Sequence, residues 1–225
     1  APEPGAFESP YSFAPPTNLT AIIGNKKVQL NWQNSNAVNG TSYKIYRSTA
    51  TIPQYSVPNE FASSSTIAYK DSASSLDYTR NQYYRVRTVS AAGGFSGFSN
   101  EIAVLPDSVP TPVLSNDSSI AKIASFTWTQ GSSNTIQKYY IYRSEDASSY
   151  TKIDSASSIK KYTDTLPAFD KFYYYKITAL KNSNIESDFS SSIKQVAHST
   201  PVLLSPENTS AKLDSSATLR WNMVK

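Results

Sequence analysis

The sequence predicts an all-β chain that is built from tandem antiparallel β-sandwiches. The first observation is a repeat, because Trp32 and Trp128 stand 96 positions apart, and so do the Tyr-Arg-Ser segments 46–48 and 142–144. The second is that short segments alternate apolar and polar residues between turn residues, and the third is that no segment of useful length has the period of a helix. A fixed repeat period indicates repeated structural units. The 225 residues therefore predict two complete units and the start of a third.

The first unit contains a series of segments at strand length. Val28, Leu30 and Trp32 fall on one face of a strand, because successive side chains point to opposite sides. Tyr43 and Ile45 share a face of the next strand in the same way. Further strands are predicted over residues 19–22, 66–70, 83–89 and 100–104, with an irregular stretch over 49–65 and a turn over 92–94.

The second unit repeats this series. Strands are predicted over residues 124–128, 139–143, 173–179 and 192–196, and segment 162–164 corresponds to 69–71 of the first unit. Roughly seven short strands in each unit, with turn signals between them, predict an antiparallel β-sandwich.

Proline clusters mark the predicted domain boundaries. We expect a proline-rich leader at 1–16, two domains at 17–106 and 107–198, and the truncated start of a third domain at 199–225. The third segment supplies two strands, which cannot bury a sandwich core, so we expect the chain to be a fragment of a longer protein. Short proline-containing linkers restrict a hinge, and the predicted arrangement is therefore an elongated rod.

The combination of these motifs resembles tandem fibronectin type III domains of the bacterial type, two complete and the start of a third. The motifs are Trp32 and Trp128, Tyr43-x-Ile45 and Tyr139-x-Ile141, Asp164-Thr165-Leu166, Tyr173-x-Tyr175-x-Ile177-x-Ala179, and the closing pairs Ser96-x-x-Ser99 and Ser187-x-x-Ser190. The resemblance implies immunoglobulin-like sandwiches of about seven antiparallel strands each. Trp32, Trp128, Trp221 and Tyr173 would be the structural hallmarks.

Tyr173 lies seven residues after Leu166, a spacing that suits the tyrosine corner of this fold. In the first domain, the alternation counted from Tyr84 puts Gln82 at that place. A slip of one residue or a bulge would instead bring Tyr83 into the corner, and the sequence leaves both arrangements open.

The composition argues against catalysis and against metal or cofactor binding. The chain has no Cys, 7 Gly and a single His, His198, which falls in a linker. A thiolate nucleophile, a zinc site and a glycine-rich phosphate loop are therefore not expected. Asp71 and Asp164 occupy matching repeat positions, which favours a role in turns. We predict no catalytic, cofactor-binding or metal-binding residues.

Charge and hydropathy limit the kinds of partner that the sequence predicts. The net charge is +4 with scattered Lys and Arg residues, which is typical of a solubilising surface and does not indicate nucleic-acid binding. No stretch approaches the roughly 18 apolar residues of a membrane helix. Four segments match the N-glycosylation pattern, at Asn18, Asn39, Asn116 and Asn208, but chance matches are expected in a chain rich in Ser, Thr and Asn.

Two surface features stand above the background. If Tyr139, Ile141, Tyr175 and Ile177 point inward, then three tyrosines point outward on neighbouring strands: Tyr140, Tyr142 and Tyr174. Such a patch would stack on a sugar or anchor a protein, or it would only steady the sheet by cross-strand packing. The second feature is segment 95–99, where Arg85 and Arg87 are expected to stack on Phe95 and Phe98 and stabilise the sheet.

The sequence favours a non-catalytic spacer and interaction segment of an exported multidomain surface protein, which contacts protein or cell-surface partners. The expected location is extracellular or in the cell envelope, the expected partner is a protein or a surface glycan, and the chain is expected to be monomeric. The main alternative is an accessory or carbohydrate-binding segment of a secreted polysaccharide-active enzyme. An adhesion or receptor ectodomain of a eukaryote is a further alternative.

Overall fold

The computed structural model describes residues 14–34, 42–55, 59–131, 135–157, 159–199, 203–205 and 218–222. The chain divides into two compact units, Ala1–Ser108 and Val109–Lys225, which we call domain 1 and domain 2. The predicted leader up to residue 13 and the acceptor patterns at Asn39 and Asn208 lie outside the described residues. Among the described residues there is no helix long and apolar enough to cross a membrane.

Domain 1 is an antiparallel sandwich of seven strands. The strands are β1 (Thr17–Gly24), β2 (Lys27–Gln33), β3 (Ser42–Ser48), β4 (Ala62–Ser64), β5 (Ala68–Asp71), β6 (Gln82–Val89) and β7 (Ile102–Val104). One sheet has the order β1-β2-β5 and the other has the order β4-β3-β6-β7. The alternation predicts all of these strands except β4, which lies in the stretch expected to be irregular.

The core of domain 1 lies where the inward faces of the two sheets meet. Val28, Leu30 and Trp32 are buried on β2, as the alternation predicts, and Tyr43 and Ile45 face them from β3. The indole ring of Trp32 packs edge-to-face on the ring of Tyr43, with 5.2 Å between the ring centroids. This packing confirms the inward face that the period of two assigns to both strands.

Domain 2 repeats the architecture. Its strands are β8 (Val113–Ile120), β9 (Ile123–Thr129), β10 (Ile136–Ser144), β11 (Thr151–Ala156), β12 (Lys161–Thr165), β13 (Phe172–Lys181) and β14 (Ile193–Val196). The sheets have the orders β12-β9-β8 and β11-β10-β13-β14, and every pairing is antiparallel. The alternation missed β8 and β11, because both are edge strands rich in Ser, Thr, Asp, Asn or Lys.

Aromatic rings fill the core of domain 2. Phe126 is fully buried, and its ring centroid lies 6.4 Å from that of Trp128, 5.6 Å from that of Tyr162 and 4.9 Å from that of Tyr175. Leu30, two residues before Trp32, holds the corresponding place in domain 1. The second core is therefore built around a larger side chain than the first.

A buried ionic network links the two sheets of domain 1. Asp71 is fully buried, and its Oδ2 accepts hydrogen bonds from the Arg47 guanidinium at 2.8 Å and from the Tyr84 hydroxyl at 2.7 Å. Its Oδ1 accepts the backbone N–H of Ala73, as a turn residue would. Burial and the bond to Asp71 raise the pKa of Tyr84 well above its ordinary value. The turn role predicted for Asp71 is therefore only part of its role.

The same network recurs in domain 2. Oδ2 of Asp164 accepts hydrogen bonds from the Arg143 guanidinium at 2.7 Å and from the Tyr175 hydroxyl at 2.6 Å. Here the Arg143 and Asp164 side chains keep 23% and 13% of their surface exposed, against 10% and 0% for the pair in domain 1. The domain 2 network is therefore the better solvated of the two.

The tyrosine corner forms in domain 2. Tyr173 is fully buried, and its hydroxyl oxygen accepts the backbone N–H of Ala168 at 3.1 Å. In domain 1, Gln82 is buried at the corresponding position, while β3 and β6 pair without a register shift. There is accordingly no slip or bulge that brings Tyr83 into the corner, and domain 1 has a glutamine in place of the corner tyrosine.

Replacing Tyr173 with phenylalanine is expected to lower the free energy of unfolding by about 1–3 kcal/mol, because the Ala168 N–H would lose its buried acceptor. Equilibrium urea unfolding measures this change. Tyr150→Phe is the control, because that hydroxyl bonds to Ser192 at an exposed site. Equal losses in the two variants would contradict the corner's structural role.

The third segment contributes a two-stranded sheet. Strands β15 (Leu203–Ser205) and β16 (Arg220–Trp221) pair antiparallel. Trp221 is 57% exposed, whereas Trp32 and Trp128 are each 3% exposed. Trp221 therefore follows the repeat in sequence but does not occupy a sandwich core within the described residues.

Candidate functional site

The outer face of the four-stranded sheet of domain 2 carries the tyrosines singled out by the sequence. On β10, Tyr139 and Ile141 are buried in the core, and the intervening residue, Tyr140, points to the opposite face together with Tyr142. Tyr174 lies on the same outer face of the neighbouring strand β13. All three rings are half-buried, so each keeps part of its surface in solvent.

Tyr142 is held on this face by two contacts. Its ring packs edge-to-face on Phe189 with 4.9 Å between centroids. Its hydroxyl donates to Oε1 of Glu186 at 3.1 Å, and the same oxygen accepts the Thr178 hydroxyl at 2.5 Å. Burial, followed by the neighbouring Glu186 carboxylate, raises the pKa of Tyr142. The ring is thus fixed in place and uncharged at neutral pH.

Lysine side chains lie over the aromatic rings of this face. The ammonium groups of Lys152 and Lys138 lie 4.2 and 5.3 Å from the ring centroid of Tyr140. Lys176 lies 4.4 Å from the ring centroid of Tyr150 and 5.8 Å from that of Phe189. Contacts of this kind contribute about 0.5–1 kcal/mol each at exposed sites.

The three predicted tyrosines do not form one continuous aromatic surface. Tyr142 pairs across the ladder with Lys176, whereas Tyr174 pairs with Ser144 and Lys194. Tyr174 is therefore displaced by two residues along β13 from the partner of Tyr142, which is about 7 Å. The surface alternates rings with ammonium groups.

We call this surface the lysine–tyrosine face. It consists of Tyr140, Tyr142, Lys152, Tyr174, Lys176, Phe189 and Lys194. The sequence analysis predicts the three tyrosines of this face. It does not predict the lysines or Phe189. The alternation on β13 nevertheless assigns Lys176 to the face, and the repeat places Phe189 at the position of Phe98, because Ser187-x-x-Ser190 aligns with Ser96-x-x-Ser99.

The corresponding face of domain 1 is closed. Tyr46, 96 positions before Tyr142, is 3% exposed and packs against Ile52, Tyr83 and Phe98. Its ring lies edge-to-face on Phe98 with 5.0 Å between centroids. The segment that contains Ile52 thus covers in domain 1 the surface that domain 2 leaves open.

The cations of the domain 1 face are engaged within the domain. Arg85 lies opposite Tyr46, as Lys176 lies opposite Tyr142, and its guanidinium donates to the Ile52 carbonyl at 2.7 Å. It also lies 3.4 Å from the carboxylate of Glu101. Lys44 on β3 pairs with Glu60 at 2.8 Å. Carboxylates of the same domain therefore neutralise these charges.

Arg87 confirms the stacking predicted for segment 95–99. Its guanidinium lies 4.8 Å from the ring centroid of Phe95 and 4.9 Å from that of Phe98, and it donates to the Ser96 carbonyl at 2.7 Å. Arg85 uses hydrogen bonds and an ion pair instead. This arrangement stabilises the closed face of domain 1.

The lysines of domain 2 differ in their charge environment. Within the described part of the chain, no carboxylate lies within ion-pair distance of Lys152, Lys176 or Lys194. Glu186, beside Tyr142, is engaged by the Tyr142 and Thr178 hydroxyls. The lysine–tyrosine face is consequently cationic and only partly covered.

The other side chains with possible catalytic or metal-binding chemistry do not come together in a site within the described residues. His198 is exposed beyond β14, and the two repeat aspartates are held by Arg and Tyr partners of their own cores. Among the described residues, no three His, Asp or Glu side chains are grouped so that they could hold a metal ion. Asn18 donates to Gln33, and Asn116 accepts from Gln195.

Comparison with known proteins places the fold. No family model and no curated protein matches the chain. The crystal structure of the chicken CNTN1 FN1-FN3 domains is similar over 82% of this chain and 68% of that one, with a TM-score of 0.53 and 13% identity. The crystal structure of a beta-1,2-glucanase from Parabacteroides distasonis matches 58% of this chain and 17% of the glucanase chain, with a TM-score of 0.36 and 24% identity. The chain thus has the fold of tandem fibronectin type III domains.

Proposed function

We propose that this chain is a non-catalytic spacer and interaction segment of an exported multidomain surface protein. Its contacts with protein or cell-surface partners are made through the lysine–tyrosine face of domain 2. The observation that carries the proposal is the contrast between the two domains. The same sheet face is covered in domain 1, around the buried Tyr46, and open in domain 2, around the half-buried Tyr142.

The contrast assigns different tasks to two units of one architecture. Domain 1 covers its outer sheet with its own chain and neutralises the cations there, which suits a structural spacer. Domain 2 keeps aromatic rings and ammonium groups accessible on a rigid sheet. Tyr and Phe are enriched in binding surfaces, and cations beside them attract partners of opposite charge.

The non-catalytic part of the proposal is supported by the use that the domains make of their carboxylates. Asp71 and Asp164 are bound by guanidinium and phenol groups inside the sandwiches, where they link the two sheets. A general acid or base needs access to a substrate proton, and these positions do not provide it. The extracellular or cell-envelope location is supported by the fold, which is common in extracellular proteins.

The alternative, an accessory or carbohydrate-binding segment of a secreted polysaccharide-active enzyme, is favoured by one observation. The rings of Tyr140, Tyr142 and Phe189 lie on a single sheet face, where they can stack on sugar rings.

The test is a binding screen of the chain against immobilised extracellular proteins and glycans. We expect at least one class to bind the unmodified chain and to lose binding to the double variant Tyr142→Ser, Lys176→Ser. The matched control is Tyr55→Ser, Lys70→Ser on the surface of domain 1, where Tyr55 is 82% exposed. Binding that falls equally in both variants, or that survives in the first, would contradict the proposed surface.

A further inference from the structure

We propose that the lysine–tyrosine face recognises an acidic glycan, meaning a linear polysaccharide that carries carboxylates along its length. This inference rests on the proposed function and names the chemistry of its partner. It follows from three properties of the face: the spacing of its lysine positions, the rings between them, and the absence, among the described residues, of a carboxylate within ion-pair distance of Lys152, Lys176 or Lys194.

The lysine positions of the face follow one another across the sheet, and their ammonium groups lie over the rings of Tyr140, Tyr150 and Phe172. Lys152 on β11 pairs with Tyr142 on β10, and Tyr142 pairs with Lys176 on β13. Two strand spacings therefore separate the backbones of Lys152 and Lys176, which is about 10 Å. Lys194 on β14 lies opposite Tyr174, two residues along β13 from Lys176, and so adds a third cation beside the first two. A chain that crosses the strands would meet one ammonium group after another.

Rings fill the intervals between these lysine positions. Tyr142 lies between Lys152 and Lys176, and Phe189 fixes its ring from the side. An aromatic ring packs on the C–H face of a sugar, while an ammonium group pairs with a carboxylate. Alternation of the two on one sheet face matches a polymer in which every unit offers both an apolar face and an anionic group.

This pattern favours a glycan over an acidic polypeptide. Anchor residues of protein interfaces are enclosed in well-packed pockets from which water is excluded. Tyr140, Tyr142 and Tyr174 are instead only partly buried on the face of a sheet, and each of them borders a lysine. Such a surface offers shallow and repeated contacts, which suits a chain of similar units.

The charge of the face is available to a partner. In domain 1, Lys44 and Arg85 lie near Glu60 and Glu101, whereas Lys152, Lys176 and Lys194 have no such carboxylate within the described residues. An anionic polymer would supply the missing counter-charges. Each exposed pair contributes little and is screened by salt, so binding depends on several lysines together.

The experiment measures the affinity of the chain for polygalacturonate and for its fully methyl-esterified form by isothermal titration calorimetry. The ester keeps the sugar rings and removes the charge. We expect the acid form to bind about tenfold or more tightly than the ester, and its affinity to fall as salt is raised. Equal affinity for the two polymers would overturn the inference.

Matched variants locate the site. Lys152→Gln with Lys176→Gln is expected to weaken polygalacturonate binding about tenfold, because two counter-charges are lost. Lys27→Gln with Lys70→Gln, on exposed positions of domain 1, removes the same charge and is expected to leave binding unchanged. Circular dichroism confirms that both variants are folded. Equal losses in the two variants would overturn the inference, since they would show binding through net charge alone.

Two further outcomes separate this inference from the proposed function. Poly-glutamate that binds as tightly as polygalacturonate, with the same dependence on Lys152 and Lys176, would assign the face to acidic polypeptides and overturn the glycan. A partner from the binding screen that depends on Tyr142 and Lys176, together with no binding of polygalacturonate, would overturn the glycan and leave the proposed function standing.

Discussion

Replacing Asp71 with alanine is expected to lower the free energy of unfolding by about 3–5 kcal/mol, because the change leaves a buried cation without its partner. The Arg47 side chain is 10% exposed, and its guanidinium faces the fully buried carboxylate of Asp71 at 2.8 Å. The Tyr84 hydroxyl would lose its acceptor at the same time. The remaining contacts of Arg47, with Ser75 and the Phe61 ring, do not neutralise its charge.

Equilibrium urea unfolding of the intact chain measures this loss. Asp164→Ala removes the matching carboxylate in domain 2, where the pair is more exposed, and should cost less than Asp71→Ala. Asp77→Ala removes a surface carboxylate that pairs with the exposed Arg80, and should cost much less than Asp71→Ala because exposed ion pairs contribute little. If Asp71→Ala costs no more than Asp77→Ala, the network does not stabilise domain 1.

The second large effect is expected from Phe126→Ala, which should lower the free energy of unfolding by about 3–5 kcal/mol. The reason is a cavity, because the Phe126 ring is fully buried against Trp128, Tyr162 and Tyr175. Three large rings cannot collapse into the vacated space without leaving their rotamers. The measurement is again urea unfolding, followed by tryptophan fluorescence.

Phe126→Leu is the matched control, since leucine occupies the corresponding position, Leu30, in domain 1. It keeps most of the buried volume and should cost about 1–1.5 kcal/mol. A loss for Phe126→Ala no larger than that for Phe126→Leu would show that the aromatic cluster is not the centre of the domain 2 core.

Most of the strands could be predicted from the sequence, because apolar residues alternate with polar ones where one side of a strand is buried. Val28, Leu30 and Trp32 alternate with polar residues, and the structure buries all three. The alternation also put Gln82 at the corner position of domain 1, where it is buried. Edge strands such as Thr151–Ala156 were missed, because they bury little and their composition is polar.

The ionic network could not be predicted in the same way. Asp71 is 24 residues from Arg47 and 13 residues from Tyr84, and the three lie on two different sheets. The alternation of apolar and polar residues assigns each residue to one face of its strand. It does not predict which residue of the opposite sheet contacts that side chain. The repeat therefore predicts a turn role for Asp71 and Asp164, whereas their carboxylates also bind side chains of the opposite sheet.

In the candidate site, too, the sequence predicts which side of the strand a residue lies on but not whether the residue is exposed. The outward position of Tyr142 followed from the alternation of β10, but its exposure did not. The equivalent Tyr46 also points outward and is nevertheless buried, because Ile52 covers it in addition to Phe98, whose counterpart Phe189 packs on Tyr142 in the same way. Both covering residues lie outside the strands, so only the three-dimensional structure distinguishes the closed face of domain 1 from the open face of domain 2.

The most direct test of acidic-glycan recognition by the lysine–tyrosine face is an NMR titration of the ¹⁵N-labelled chain with polygalacturonate oligomers. The account predicts that the backbone amide signals of Tyr142 and Lys176 shift in a saturable manner, while those of the equivalent residues Tyr46 and Arg85 stay in place. Shifts that are equal in the two domains, or that are confined to domain 1, would contradict the assignment of binding to the open sheet face of domain 2.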